Sequence, residues 1–300
     1  MKRAVLASGS LFLSSPLPVE QGDGLIQTLE AKLKELGQPS LRQAPVPALI
    51  QVLKKCNVNT MWIQEEPGLK GWETRPEQVD ELMIGDTEYE VCLKDILSLD
   101  VALPDLVQSI IWRNGVEQLE GETIAAAFGK DEQWGTKLRK MYQVVAGRPT
   151  ACKLGALDLV NDIRYTLPVE VIAEKLGAAN KRVYKYVFDQ PNPWQQSSRA
   201  HHAVDLLFLF GGVDLSFNSA AETVGQETRK RWIQFVNGKC PWSAEQRFAF
   251  GPFGECKEIS EAQFASRRRV AHLRLLEEAG MGAYMPIVTA LTAGKISLSN

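Results

Sequence analysis

The chain predicts an α/β layered domain. Three observations carry that expectation. Short apolar runs of strand length close at glycine or proline, amphipathic stretches recur at three- and four-residue spacing, and the two kinds alternate along 300 residues. No internal repeat or low-complexity linker divides the sequence, so residues 1–300 read as one region.

The first run, Arg3 to Gly9, predicts a short buried strand entering a turn. Pro16 and Pro18 interrupt regular structure. Leu25, Leu29, Leu33 and Leu36 then mark one face of a helix that Gly37 ends. Pro47 opens a second helix through Leu49, Ile50 and Leu53 to Lys54 and Lys55, whose charges suit the local dipole. Val79 to Thr87 predicts a second buried strand around Leu82, Met83 and Ile84, with Gly85 at its exit. From Leu97 to Tyr142 the pattern is helix-like but irregular, and Trp112 and Trp134 suggest core packing. A helix from Pro168 to Leu176 closes at Gly177. Arg182 to Phe188 alternates as a strand should, and Pro191 and Pro193 stop it. Val224, Trp232 and Phe235 share a helix face ended by Gly238, and a last long helix is expected from Glu261 to Glu278, with Phe264, Ala271 and Leu275 in register.

Composition narrows the function classes. Thirty-four basic residues against thirty-six acidic ones give a net charge of -2, which offers no footprint for nucleic acid or an anionic membrane. No stretch reaches the eighteen apolar residues of a membrane span. The apolar run Ala4 to Leu13 follows Lys2 and Arg3, but Ser8, Gly9 and Ser10 break it and no small-residue cleavage site follows, so it reads as strand and turn rather than a signal peptide. Cys56, Cys92, Cys152, Cys240 and Cys256 form no close metal-ligand cluster, so neither a metal nor another cofactor is expected. Five cysteines fit a reducing compartment and a cytoplasmic protein, with a Cys240 to Cys256 bridge left open.

Four segments stand in order, Arg3 to Ser10, Ile84 to Glu90, His202 to Gly211 and Trp232 to Trp242, and together they resemble the carboxylesterase/lipase family that includes the cholinesterases. Arg3 to Ser10 (RAVLASGS) is similar to the strand that follows the family's nucleophile region. Ile84 to Glu90 (IGDTEYE) is similar to the strand end and turn presenting the triad acid, which places Glu90 in that role. His202 to Gly211 (HAVDLLFLFG) resembles the loop bearing the catalytic histidine, which places His202 there. Trp232, Phe235, Asn237 and Gly238, followed by Pro241 and Trp242, resemble the family's late helix and its exit. The 112 residues from Glu90 to His202 match the family's interval. The resemblance implies the C-terminal part of such a protein: a partial α/β-hydrolase fold retaining three late strands of the sheet and the surrounding helices, without the nucleophile and oxyanion-hole region.

Ala203 stands where the family usually has glycine, Asp205 where it has glutamate, and Val91 where glycine follows the acid; these departures suggest altered loop geometry. No Gly-x-Ser-x-Gly elbow occurs in the sequence. A base and its orienter without a serine cannot form an acyl-enzyme. The resemblance therefore implies a carboxylesterase-like protein that is not an independent serine esterase. Its partners would be a small hydrophobic ester or metabolite, and a second copy or a chain supplying the missing half. Two other classes stay open: a non-hydrolytic acid/base enzyme such as an isomerase, lyase or cyclase, and a noncatalytic binding protein. His201 reads as a surface or supporting residue, Ser8 and Ser10 lack the elbow pattern, and His272 lies in a charged helix. Arg267, Arg268 and Arg269 read as a solvated helix face, and Trp194, Phe208 and Phe210 as core.

Overall fold

A computed structural model of the chain describes residues 3–7, 19–56, 79–88, 116, 119–196 and 199–292. Five strands form one sheet: β1 (Arg3–Ala7), β2 (Glu81–Thr87), β3 (Arg182–Phe188), β4 (Arg247–Phe250) and β5 (Cys256–Ile259), in the order β1-β2-β3-β4-β5. The first four run parallel and β5 returns antiparallel. Leu82 pairs with Val183, and Tyr186 with Phe248.

The period of two decides which layer each strand residue meets. Leu82, Ile84 and Val183 face Ile172 and Leu176 on one side of the sheet. Met83, Tyr184, Tyr186, Phe188, Phe248 and Phe250 face Phe235 and Trp242 on the other. Every residue of β2 is buried, as expected of a parallel strand covered on both faces. The second layer is aromatic: the Tyr186 ring lies 5.2 Å from Trp232, and Trp242 stacks on Phe248 at 5.1 Å. Such pairs add about 0.5–1.5 kcal/mol each beyond the area they bury.

Helices α1 (Val19–Glu35) and α2 (Val46–Lys55) pack Leu29, Leu33 and Val52 together. Next come α3 (Gly121–Ala127), with a 3-10 turn after it, and α4 (Gly135–Met141). Then α5 (Pro149–Asn161) continues through a π-helical turn, Asp162–Thr166, into α6 (Leu167–Ala178). The rest are α7 (Val204–Phe210), α8 (Ser219–Val236), α9 (Glu261–Ala265), α10 (Val270–Ala279) and α11 (Met281–Thr292).

Several expectations need correction. Among the described residues the sheet has five strands rather than three, because β4 and β5 are four-residue strands that a pattern of longer runs passes over. Gly85 is not a strand exit. It sits inside β2, where an added Cβ would lie 2.4 Å from the Tyr186 carbonyl oxygen, so close backbone approach requires it. The last helix is broken: Ser266 to Arg269 separate α9 from α10, and Ser260 closes a capping box at the start of α9. Residues 89–115, including Leu97 and Trp112, lie outside the described residues.

Candidate functional site

Parallel strands bring their carboxyl ends to one rim, where sheets of this class place ligands. Asp86 comes from the end of β2, and Asp189 directly follows β3. Both are buried, and Arg268 lies between them. Its Nη1 donates to Asp189 at 2.9 Å, and its Nε and Nη2 donate to Asp86 at 3.2–3.3 Å. Burial pushes the Arg268 guanidinium down, but the charges of Asp189 and Asp86 outweigh it and carry the group above the ordinary arginine range.

The flanking arginines extend the network. Arg267 donates to Asp189 at 2.7 Å and to the Gly251 carbonyl at 2.8 Å. Arg269 grips Asp162 at 2.7 and 2.9 Å, and the Tyr142 hydroxyl donates to the same carboxylate at 2.8 Å. Thr166, at the end of the π-helical turn, donates to Asp86 at 2.8 Å. The solvated arginine face expected from sequence is therefore corrected. These side chains leave the break between α9 and α10 and turn inward, since three carboxylates buried near the rim need cations.

The segment from β3 to α7 carries both histidines of the candidate loop. His201 is fully buried, not a surface residue. Its Nδ1 donates to the His202 carbonyl at 2.9 Å, and its Nε2 faces Asn192 Nδ2 at 3.1 Å. The Trp194 backbone N–H donates to Asn192 Oδ1 at 3.0 Å, which fixes the amide with its nitrogen toward His201. These partners assign His201 the neutral Nδ1–H tautomer, a structural role. His202 is half-buried, with its ring centroid 6.2 Å from that of Tyr165 in the π-helical turn. Ala203 follows at φ 62°, and α7 begins at Val204. Asp205, in the first turn of α7, is buried. The left-handed turn at Ala203 directs the chain from His202 into that helix.

The other singled-out side chains divide. Phe208 packs on Phe188 at 5.2 Å, as expected of core, and half-buried Trp194 meets Phe217 at 5.5 Å. Phe210 does not join the core; it is 75% exposed. His272 meets the Met141 carbonyl at 3.1 Å and the Tyr142 ring edge-on at 4.7 Å. Cys240 and Cys256 are free thiols, so the bridge left open is not formed. Glu90, Val91, Ser8 and Ser10 lie outside the described residues. The approach to Glu90 is described: the Glu88 N–H donates to the Phe188 carbonyl at 3.0 Å, and the Glu88 carboxylate accepts from Arg199 in the histidine loop. Among the described residues no three His, Cys, Asp or Glu side chains gather as metal ligands, and no helix is long and apolar enough to cross a membrane.

Sequence reasoning passes over Asp86 and Asp189 and places Arg268 on a solvated face. The available signal was positional: each aspartate stands alone at the end of a buried apolar strand, where an unpaired charge is not tolerated, and an arginine run occurs later in the chain.

Residues 51–273, more than half of the chain, match the model of the family described as "Carboxylesterase family". Lipase 3 of Yarrowia lipolytica is 24% identical over 97% of this chain and 55% of its own length. Among solved structures, carboxylesterase EST55 of Geobacillus stearothermophilus superposes with a TM-score of 0.58 at 18% identity, covering 89% of this chain and 58% of the other. A PNB esterase gives 0.55 at 16% identity, covering 89% and 57%. The likeness thus takes in 89–97% of this chain. That coverage corrects the expectation of a partial, truncated fold: an esterase-like α/β fold runs through nearly the whole chain. The chain spans 55–58% of the length of these relatives.

Proposed function

This chain belongs to the carboxylesterase family, and from that premise we propose that His202 and Glu90 are the base and the acid of an ester-cleaving site for small hydrophobic esters. In that role His202 accepts the proton of an attacking serine and returns it to the leaving alcohol. Glu90 fixes the imidazole tautomer and stabilises its charged form. No Gly-x-Ser-x-Gly occurs in the 300 residues, so we further propose that they do not act as a serine esterase by themselves.

The observation that carries the reading is the placement of His202. It follows β3 at the carboxyl rim of the sheet, half-buried, immediately before a left-handed residue and α7. His201 supports the assignment by contrast, since both its ring nitrogens are engaged in the loop.

Histidine titration by NMR tests the pairing, and three histidines make it tractable. With Glu90 beside it, His202 is expected to titrate above about 6.5, and Glu90→Gln to lower its midpoint by about one pH unit. An unchanged midpoint in Glu90→Gln would remove the pairing.

A further inference from the structure

We propose that Arg199 and Glu88 are positioning residues, an ionic clasp that holds the turn leading to Glu90 against the loop leading to His202. The inference rests on the acid–histidine reading above and adds to it the device that sets the separation of the two loops.

The two partners are far apart in sequence and adjacent in space. Glu88 stands two residues before Glu90, and Arg199 three residues before His202. The Arg199 guanidinium donates to the Glu88 carboxylate. Each partner is anchored by its own backbone. The Glu88 N–H donates to the Phe188 carbonyl at 3.0 Å, holding the turn to the end of β3. The Arg199 carbonyl accepts from the Asn192 N–H at 3.0 Å, which ties Arg199 to the residues that leave that same strand. The clasp therefore spans two loops that already share β3.

Arg199 sits at φ 56°. A left-handed backbone suits glycine or asparagine and costs an arginine free energy, so its use here points to the side chain. The charged neighbours agree: Asp158 also acts electrostatically with Arg199, and Asp158 is itself paired with Arg269 at 3.2 Å. The Arg199 side chain is 57% exposed and that of Glu88 23%, so the pair is expected to contribute little to stability. Its effect should appear in the His202 environment.

Sign separates positioning from simple proximity. Removing the Arg199 charge alone would raise the His202 midpoint, because a nearby cation disfavours imidazolium. Releasing the acid-bearing turn would lower it. We expect Arg199→Gln to lower the midpoint by at least half a pH unit, with the thermal midpoint and the His201 signals unchanged. The reversed pair, Glu88→Arg with Arg199→Glu, should bring it back toward the parent value. A rise or no change in Arg199→Gln, or no recovery in the reversed pair, overturns the clasp. Glu90→Gln measured alongside tells the two claims apart. If it lowers the midpoint and Arg199→Gln does not, the clasp alone fails; if it leaves the midpoint unmoved, the acid–histidine reading fails and the clasp falls with it.

Discussion

Ala203 holds φ 62° directly after His202, a conformation that costs an L-residue about 1–2 kcal/mol. Glycine removes that cost and adds about 0.4–1 kcal/mol of unfolded-chain entropy. Ala203→Gly is therefore expected to leave stability in urea unchanged or raise it by up to about 1 kcal/mol, whereas Ala203→Val should lower it by more than 1 kcal/mol. Equal effects from the two would mean that the residue is not left-handed in solution. Arg268 carries a larger effect. Its truncation to Met leaves Asp86 and Asp189 buried without their shared cation and should cost about 3–5 kcal/mol, read from the same denaturation curves. At this scale the sequence singles out His202 by its segment, and its role is a proposal. The buried network does not stand out, because pairing of Arg268 with Asp86 joins residues 182 positions apart and leaves no periodic trace. His201 and His202 are equivalent in sequence, and only the fold assigns one of them inward to Asn192.

Glycines at crossings between elements offer a paired test. In α5 an added Cβ at Gly155 would lie 1.9 Å from the Tyr142 carbonyl oxygen, a backbone atom that cannot swing aside. Gly177 in α6 has nothing within 4 Å. Gly155→Ala should therefore lower the thermal stability by at least about 1–3 kcal/mol. Gly177→Ala should raise it by about 0.5–1 kcal/mol, since alanine is the better helix former. A harmless Gly155→Ala would contradict the close approach of the Tyr142 backbone, just past α4, to α5. Elements were legible in proportion to the length and regularity of their pattern. The strand Arg182–Phe188 is legible to the residue because it alternates and is followed by prolines. β4 and β5 escape notice because they are four residues long and β4 opens on Arg247, whose two terminal nitrogens donate to Glu170 at 2.8 Å and whose guanidinium lies 3.5 Å from the Phe264 ring centroid. The expected helix from Glu261 to Glu278 breaks where three arginines turn inward, and past the break the buried positions are Leu273 and Leu276, with Ala271 exposed and Leu275 half-buried.

For the whole molecule, buried acidic hydroxyls and thiols set the alkaline limit. Burial, then the Asp162 charge, holds Tyr142 well above 10.0; burial carries Tyr184 to about 12 and Cys256 to about 11. Each folded value is raised above the unfolded one, so the folded state binds protons more tightly and its stability is lost as pH rises. The urea midpoint should hold up to about pH 9 and then fall toward pH 12. In Tyr142→Phe the fall should be shallower; an identical slope would remove Tyr142 from the account. The α/β class followed from alternation alone, and the family followed from four ordered segments. The extent of the fold is not legible in the sequence pattern: β4 and β5 are too short to stand out, and the likeness to esterases runs over 89–97% of the chain. The proposal that most defines the protein is an acid–histidine pair without an elbow serine in these 300 residues. Purified chain should therefore be assayed with short-chain activated esters while a serine-directed fluorophosphonate probe is followed by intact mass. The account predicts folded protein with no turnover above that of His202→Ala and no probe adduct. Turnover that His202→Ala abolishes, together with a single labelled serine, would contradict it.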